Sequence, residues 1–217
     1  MQQDFWHEAW AKSDEPGWQQ TDFNPYLTKH WQPGAEVVFV PLCGRSLDML
    51  WLHQQGHPIV GIDLSISAIK DFCKQQSIEA TCERDGELTV FRAPGWTLYA
   101  GDFFKLTTAH LARVGRVYDR AALIALPPAM RTKYAAHCHS ILPGGAEIFL
   151  LTISYDQALM KGPPFSVADD EVQALYSDYD IQVLQSASGA DLVGNLKQRG
   201  LDTLTDSCFL LRPKVDS

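Results

Sequence analysis

No C-x-x-C pair occurs in this chain, so a zinc ribbon or a thioredoxin-type motif lacks its ligands. The five cysteines, Cys43, Cys73, Cys82, Cys138 and Cys208, are odd in number and widely spaced. Free thiols in a reducing compartment are expected, and with them a cytoplasmic location. No apolar run approaches the length of a membrane span. Residues 1–20 carry Asp4, Glu8, Asp14 and Glu15 without an apolar segment, so no signal peptide is expected there. Long runs of Lys or Arg are missing too, and the formal net charge is −8. Phosphate neutralisation needs clustered positive charge, so neither nucleic acid nor an anionic membrane surface is an expected partner. Repeats, low-complexity tracts and an obvious linker are also absent.

What is present fits a globular protein. The 217 residues are 46% apolar and 20% charged, enough to bury a substantial core in one domain spanning 1–217. A monomer is expected. Residues 1–34 stand apart, holding Trp6, Trp10, Trp18 and Trp31 with Phe5, Phe23 and Tyr26. Two readings are open for this aromatic-rich segment: a helix and loop packing rings on the core, or a lid over a site.

Glu36–Val40 is an apolar run bounded by Pro33-Gly34 and Pro41, the pattern of a buried strand. A helix over Ser46–Gln55 ends at Gly56. Pro58–Asp63 reads as a second buried strand, followed by a helix to about Gln76 capped by Ser65 or Ser67. A hairpin-like stretch at Leu88–Arg92, a strand at Trp96–Ala100 and a helix near Thr107–Arg113 come next. A strand begins at Val117–Asp119, and a helix with Pro in its first turn runs from Pro127 to about Ile141. Ala146–Ser154 is an apolar strand, Asp169–Tyr176 a helix, and Ile181–Gln185 and Thr203–Leu211 are closing strands. Strands alternating with helices predict an α/β fold: a doubly wound, mostly parallel sheet with helices on both faces. The closing strands lack a long helix between them, which predicts an antiparallel edge strand.

In such a sheet ligands bind beyond the carboxyl ends of the strands. The first strand leads into Pro41-Leu42-Cys43-Gly44-Arg45-Ser46, a tight turn with one glycine rather than G-x-G-x-x-G. A pyrophosphate needs more glycines, because it must approach the backbone closely. Asp63 ends the second strand, about 20 residues on, where a carboxylate accepts from both hydroxyls of a ribose or caps the next helix. Asp102 ends the third, where it can accept from an adenine amine, with Phe103 on the ring, or cap a helix. Asp119 and Arg120 end the fourth; Arg120 offers a donor fork to a carboxylate or heterocycle, or pairs with its neighbour. Acids at three strand ends and a first turn poor in glycine fit an adenosine ligand without phosphates, of which S-adenosylmethionine is the common one.

The sequence resembles the thiopurine S-methyltransferases in their bacterial form, over nearly the whole chain. The stretches that carry the resemblance are Phe5-Trp6-x-x-x-Trp10, Gly17-Trp18-Gln19, the run from Val40 to Met49, and Gly61–Ser65. Gly101–Phe104, Tyr118–Leu123 and Gly162-Pro163-Pro164-Phe165 complete it. The resemblance implies transfer of the methyl group of S-adenosylmethionine to the sulfur of aromatic or heterocyclic thiols, thiol xenobiotics included. It implies that Trp10, Leu42, Asp63 and Arg120 contact the cofactor, with Asp102 and Phe103 on the adenine side. Trp18, Arg120 and Phe165 fall on the acceptor side. The family has Glu where this chain has Asp63, which keeps the carboxylate one methylene shorter. Animal members carry a second acceptor-side Arg near Gly194–Lys197, where this chain has only Lys197 and Arg199 nearby.

The expected mechanism is in-line displacement, with Arg120 positioning the acceptor and Asp119 orienting Arg120 or taking a proton. No metal is expected: His137 and His139 leave a helix on different faces. Cys43 has no base in reach and reads as packing. Other readings are methyl transfer to selenium or tellurium species, and a non-catalytic S-adenosylmethionine-binding module. A nicotinamide-dependent oxidoreductase is disfavoured by the lone Gly44. A nucleic-acid amino-methyltransferase is disfavoured by Leu126-Pro127-Pro128-Ala129, where a polar residue and an aromatic would flank the prolines.

Overall fold

The computed structural model describes residues 21–214. The chain forms two compact units, divided between Arg116 and Val117. In the first, Asn24 starts helix α1 (Pro25–His30) by accepting from the Tyr26 and Leu27 amides at 2.9 and 3.3 Å. The Asn24 amide in turn donates to Asp48 of helix α2 (Asp48–Gln54) at 2.8 Å. Tyr26, Leu27 and Trp31 are buried. Trp31 Nε1 donates to His57 Nε2 at 3.0 Å, and His57 Nδ1 lies 2.9 Å from the Glu36 carbonyl. Tyr26 and Trp31 are therefore core residues. Phe23 is exposed, and the rings at Phe5, Trp6, Trp10 and Trp18 lie outside the described residues.

The unit's strands are β1 (Val37–Pro41), β2 (Ile59–Asp63), β3 (Thr81–Asp85), β4 (Leu88–Ala93) and β5 (Trp96–Ala100). Their order is β3-β4-β5-β2-β1. β1, β2 and β5 run parallel, with Val40 opposite Gly61 and Gly61 opposite Leu98. β2 is buried along its whole length, as continuous apolar runs in parallel strands require. Helix α3 (Ile66–Gln75) is capped by Ser65, whose hydroxyl accepts from the Ala68 amide at 3.2 Å. β3 was not foreseen. Its residues Thr81–Arg84 are exposed and Asp85 is half-buried, so no apolar alternation marks it. It forms because β4 offers it an antiparallel edge across the Gly86 turn. Helix α4 is a single turn, Thr108–Leu111.

Gly61 sits where these strands close on each other. A Cβ there would meet Cys43 Sγ and Leu98 Cδ2, each at 2.9 Å. Gly61→Ala is expected to lower stability by about 1–3 kcal/mol, the usual cost of overpacking a filled core. Urea unfolding checks this: the midpoint should fall with the slope unchanged.

The chain passes along β6 (Val114–Arg120) into the second unit. Helix α5 (Pro128–Ile141), strand β7 (Glu147–Ser154), helix α6 (Asp169–Leu175), and strands β8 (Tyr179–Gly189) and β9 (Leu204–Pro213) follow. The strand order is β6-β7-β9-β8, with β9 antiparallel to both neighbours. The closing antiparallel pair is the one expected. β8 runs farther than its apolar stretch because hydroxyls continue the pairing: Ser186 with Ser207 at 3.0 Å and Ser188 with Thr205 at 2.8 Å. All five cysteines are free thiols, and only Cys82 is exposed. No helix among the described residues is long and apolar enough to cross a membrane.

Candidate active site

One cluster of the expected residues lies in the first unit, at the carboxyl ends of β1, β2 and β5. After β1 the backbone turns through Leu42 (φ 47°) and Gly44 (φ 50°). Leucine in the left-handed region costs about 1–2 kcal/mol, so the surroundings must hold it there. Two hydrogen bonds do: the Cys43 amide donates to the Ile62 carbonyl at 2.9 Å, and the Gly44 amide to Asp63 Oδ2 at 2.9 Å. Asp63 Oδ1 accepts from the Ser65 amide at 2.8 Å, and the Asp63 carbonyl from the Gly101 amide at 2.9 Å. One buried aspartate thus fastens the three strand-end turns together.

Next to it, Asp102 Oδ1 accepts from the Phe104 amide at 3.0 Å and opens a short 3-10 turn, Phe103–Lys105. Asp102 is half-buried and Phe103 is buried, its ring edge-to-face with Phe104. Leu42, Asp63, Asp102 and Phe103 are therefore brought together. Burial, aided by the charge of Asp63, pushes the Cys43 thiol well up. A thiol held protonated is no nucleophile, which agrees with its reading as packing. The candidate residues Trp10 and Trp18 lie outside the described residues.

A second cluster lies in the second unit. Asp119 is buried; its Oδ2 accepts from the Tyr134 hydroxyl at 2.6 Å and its Oδ1 from the Leu123 amide at 3.2 Å. Burial pushes this carboxyl up to about 6, opposed by the Tyr134 and backbone hydrogen bonds. Adjacent residues on a strand leave on opposite faces, and Asp119 makes no ion pair with Arg120 among the described residues. Of the readings open for the two, the local ion pair is thus not formed, and Asp119 secures the turn that carries Arg120. That turn includes Ala121 at φ 70°, another non-glycine residue held in the left-handed region.

Arg120 is half-buried. The charge acting on it comes from Asp206 on β9, whose carboxyl burial raises to about 6 against the pull of Arg120. Sequence reasoning missed Asp206, although a signal was present. Leu204, Asp206 and Cys208 alternate onto one strand face, and Leu204 and Cys208 are buried. An acid between two buried apolar positions is unusual enough to mark.

Phe165 belongs to a segment tied down from several sides. Its amide donates to the Ile124 carbonyl at 2.6 Å, just past the Arg120 turn. The Tyr155 hydroxyl and Arg199 Nη1 donate to the Pro164 and Pro163 carbonyls, each at 2.6 Å. The Arg131 guanidinium carbon lies 5.9 Å from the Phe165 ring centroid. Buried Arg131 is itself fixed by Glu171 at 2.7 and 2.6 Å and by the Leu126 carbonyl at 2.9 Å. Arg199 is thus engaged with the Gly162-Pro163-Pro164 stretch, while Lys197 is exposed. No group of three His, Cys, Asp or Glu residues among those described could hold a metal ion.

Comparison with known proteins agrees with this layout. A solved S-adenosylmethionine-dependent methyltransferase from Methanosarcina mazei superimposes with a TM-score of 0.63 at 14% identity, covering 89% of this chain and 100% of its own. The fold is that of the class I S-adenosylmethionine-dependent methyltransferases. Thiopurine S-methyltransferase of Pseudomonas fluorescens (strain Pf0-1) is 44% identical over 220 residues, 98% of this chain and 99% of its own. That of Marinobacter nauticus is 45% identical over 221 residues, 99% of this chain and 100% of its own. The family model for thiopurine S-methyltransferase matches residues 1–214, and the chain belongs to that family.

Proposed function

We propose that this protein transfers the methyl group of S-adenosylmethionine to the sulfur of aromatic or heterocyclic thiols such as thiopurines. The observation that carries the reading is family membership along residues 1–214. The cluster around Asp63 supports it: one carboxylate, a strained turn with a single glycine, and Phe103 alongside suit a nucleoside without phosphates.

When bound, S-adenosylmethionine supplies a methyl group activated on a sulfonium. In this reading Asp63 accepts from the ribose hydroxyls, Asp102 from the adenine amine, and Leu42 and Phe103 pack on the adenosine. Arg120 directs its donors at the acceptor, and Phe165 forms one wall of the acceptor site. Trp10 contacts the cofactor and Trp18 covers the acceptor. Alignment of the acceptor sulfur with the methyl carbon is the principal work, and displacement from a sulfonium requires no metal. The same reading treats the chain as a single catalytic domain, a cytoplasmic monomer that acts on small thiol xenobiotics.

The test is transfer of labelled methyl from S-adenosylmethionine to 6-mercaptopurine, with cofactor binding measured by calorimetry on the same sample. Binding and transfer are expected together. Binding without transfer to any thiol would redirect the reading to selenium or tellurium acceptors, or to a non-catalytic binding module. Failure to bind the cofactor would overturn it.

A further inference from the structure

We propose that Asp206 is the general base of the acceptor site, taking the ring N–H proton of a heterocyclic thione beside Arg120. The inference rests on the function proposed above and adds to it a residue with a named role.

Three features of the second unit carry it. First, Asp206 and Arg120 are charged, half-buried neighbours, yet neither side chain makes a hydrogen bond to another described residue. Reachable from solvent and not committed to another described side chain, the pair has donors and acceptors to offer a ligand. Second, Asp206 occupies the face of β9 that also carries Leu204. Leu204 packs with Met160, Val193 and Leu201. Opposite Asp206 stand Ile153 on β7 and Ala187 on β8, neither of which can hydrogen-bond through its side chain. Third, the other carboxylate near the end of β6 is spoken for, because Asp119 gives its oxygens to Tyr134 and the Leu123 amide.

The chemistry needs such a group. A thiopurine enters largely as the thione, with its proton on a ring nitrogen. As the acceptor sulfur bonds to the methyl carbon, the bond from that carbon to the sulfonium breaks and its electron pair stays on the departing thioether. The methylated heterocycle then holds one proton too many, and the Asp206 carboxylate accepts it. Charges balance: a sulfonium, a neutral thione and a carboxylate become a thioether, a neutral S-methyl heterocycle and a carboxylic acid. Burial raises the Asp206 carboxyl to about 6 and Arg120 pulls it down. Cys208, two residues along β9, is the other titratable neighbour, and its thiol is pushed up to about 12 by burial and by Asp206. A base with a midpoint just below neutral is ionised at pH 7 and still holds a proton readily.

Two acceptors separate this role from a structural one. 6-Mercaptopurine carries a ring N–H; 4-nitrothiophenol is ionised at neutral pH and has no proton to give. Asp206→Asn is expected to lower kcat/KM for 6-mercaptopurine about 10²-fold and to leave transfer to 4-nitrothiophenol near the parent value. Asp206→Glu should recover part of the loss. In the parent, kcat/KM for 6-mercaptopurine should rise with pH through about 6, and the Asn variant should lose that limb. A second readout needs no turnover. In carboxyl ¹³C NMR, the signal missing from Asp206→Asn should titrate near 6 and move to higher pH in Arg120→Ala, where the stabilising cation is gone. Equal losses on both acceptors, no loss on either, or a midpoint indifferent to Arg120→Ala each overturn the proposal while the function stands. A parent chain inactive on both acceptors overturns the function itself, and the general base with it.

Discussion

Arg120→Ala is expected to lower kcat/KM for thiopurine methylation about 10³-fold, the upper range for removal of an oriented donor from a closed site. The guanidinium stands at the end of β6 on a turn fixed by Asp119, Tyr134 and Leu123. A planar fork can address both the sulfur and a ring nitrogen of a thiopurine, which a point charge cannot. Arg120→Lys should therefore recover only part of the loss. Steady-state kinetics with 6-mercaptopurine and saturating cofactor make the measurement, and thermal unfolding guards against a folding defect. Because Arg120 is half-exposed and outside the Asp119 network, the melting temperature should hardly move. A kcat/KM equal to the parent's would remove Arg120 from the mechanism. The variant also discharges the neighbourhood of Asp206, so its pH profile should shift to higher pH.

The parts of this molecule that were legible in the sequence are those where one physical demand dominates. β1, β2 and β5 are enclosed by other elements, so they read as apolar runs ending at turns. Asp63 was legible as the acid that ends the second strand, and the structure places it there, buried and accepting from the Gly44 and Ser65 amides. Of the two readings for Asp102, the structure shows the cap on the Phe103 turn; acceptance from an adenine amine belongs to the proposed function.

The remainder depended on pairings between distant segments. Polar β3 acquires its conformation from β4. Asp119 and Arg120 are adjacent in the chain, and adjacency favoured a local ion pair. The strand places them on opposite faces, one turned to Tyr134 of α5 and the other acted on by Asp206 of β9. The β7-β9 register sets Asp206 opposite Ile153, and the charge of Arg120 acts on it. Arg131 on α5 is buried, bonded to Glu171 and set against the Phe165 ring.

Asp63→Ala is expected to weaken cofactor binding about 10³-fold and also to destabilise the fold. Each charge-assisted bond to a ribose hydroxyl contributes about 1.5–3 kcal/mol, and two of them amount to roughly three factors of ten in Kd. The same substitution strips the Gly44 and Ser65 amides of their acceptor. Buried donors left without partners cost about 1–3 kcal/mol each. Without its Gly44 bond, the left-handed Leu42 turn loses one of the hydrogen bonds that hold it. Affinity loss then comes from two sources, missing ligand bonds and a relaxed turn. Asp63→Asn distinguishes them. The amide retains one oxygen for a backbone donor but places an NH2 where the second acceptor stood. Affinity should fall nearly as far as in the alanine variant, and stability less. Calorimetric titration with S-adenosylhomocysteine gives Kd, and urea unfolding without ligand gives the stability. If Asp63→Ala bound the ligand as the parent does, the carboxylate would be a structural clasp for the three turns, and ribose recognition would have to come from elsewhere.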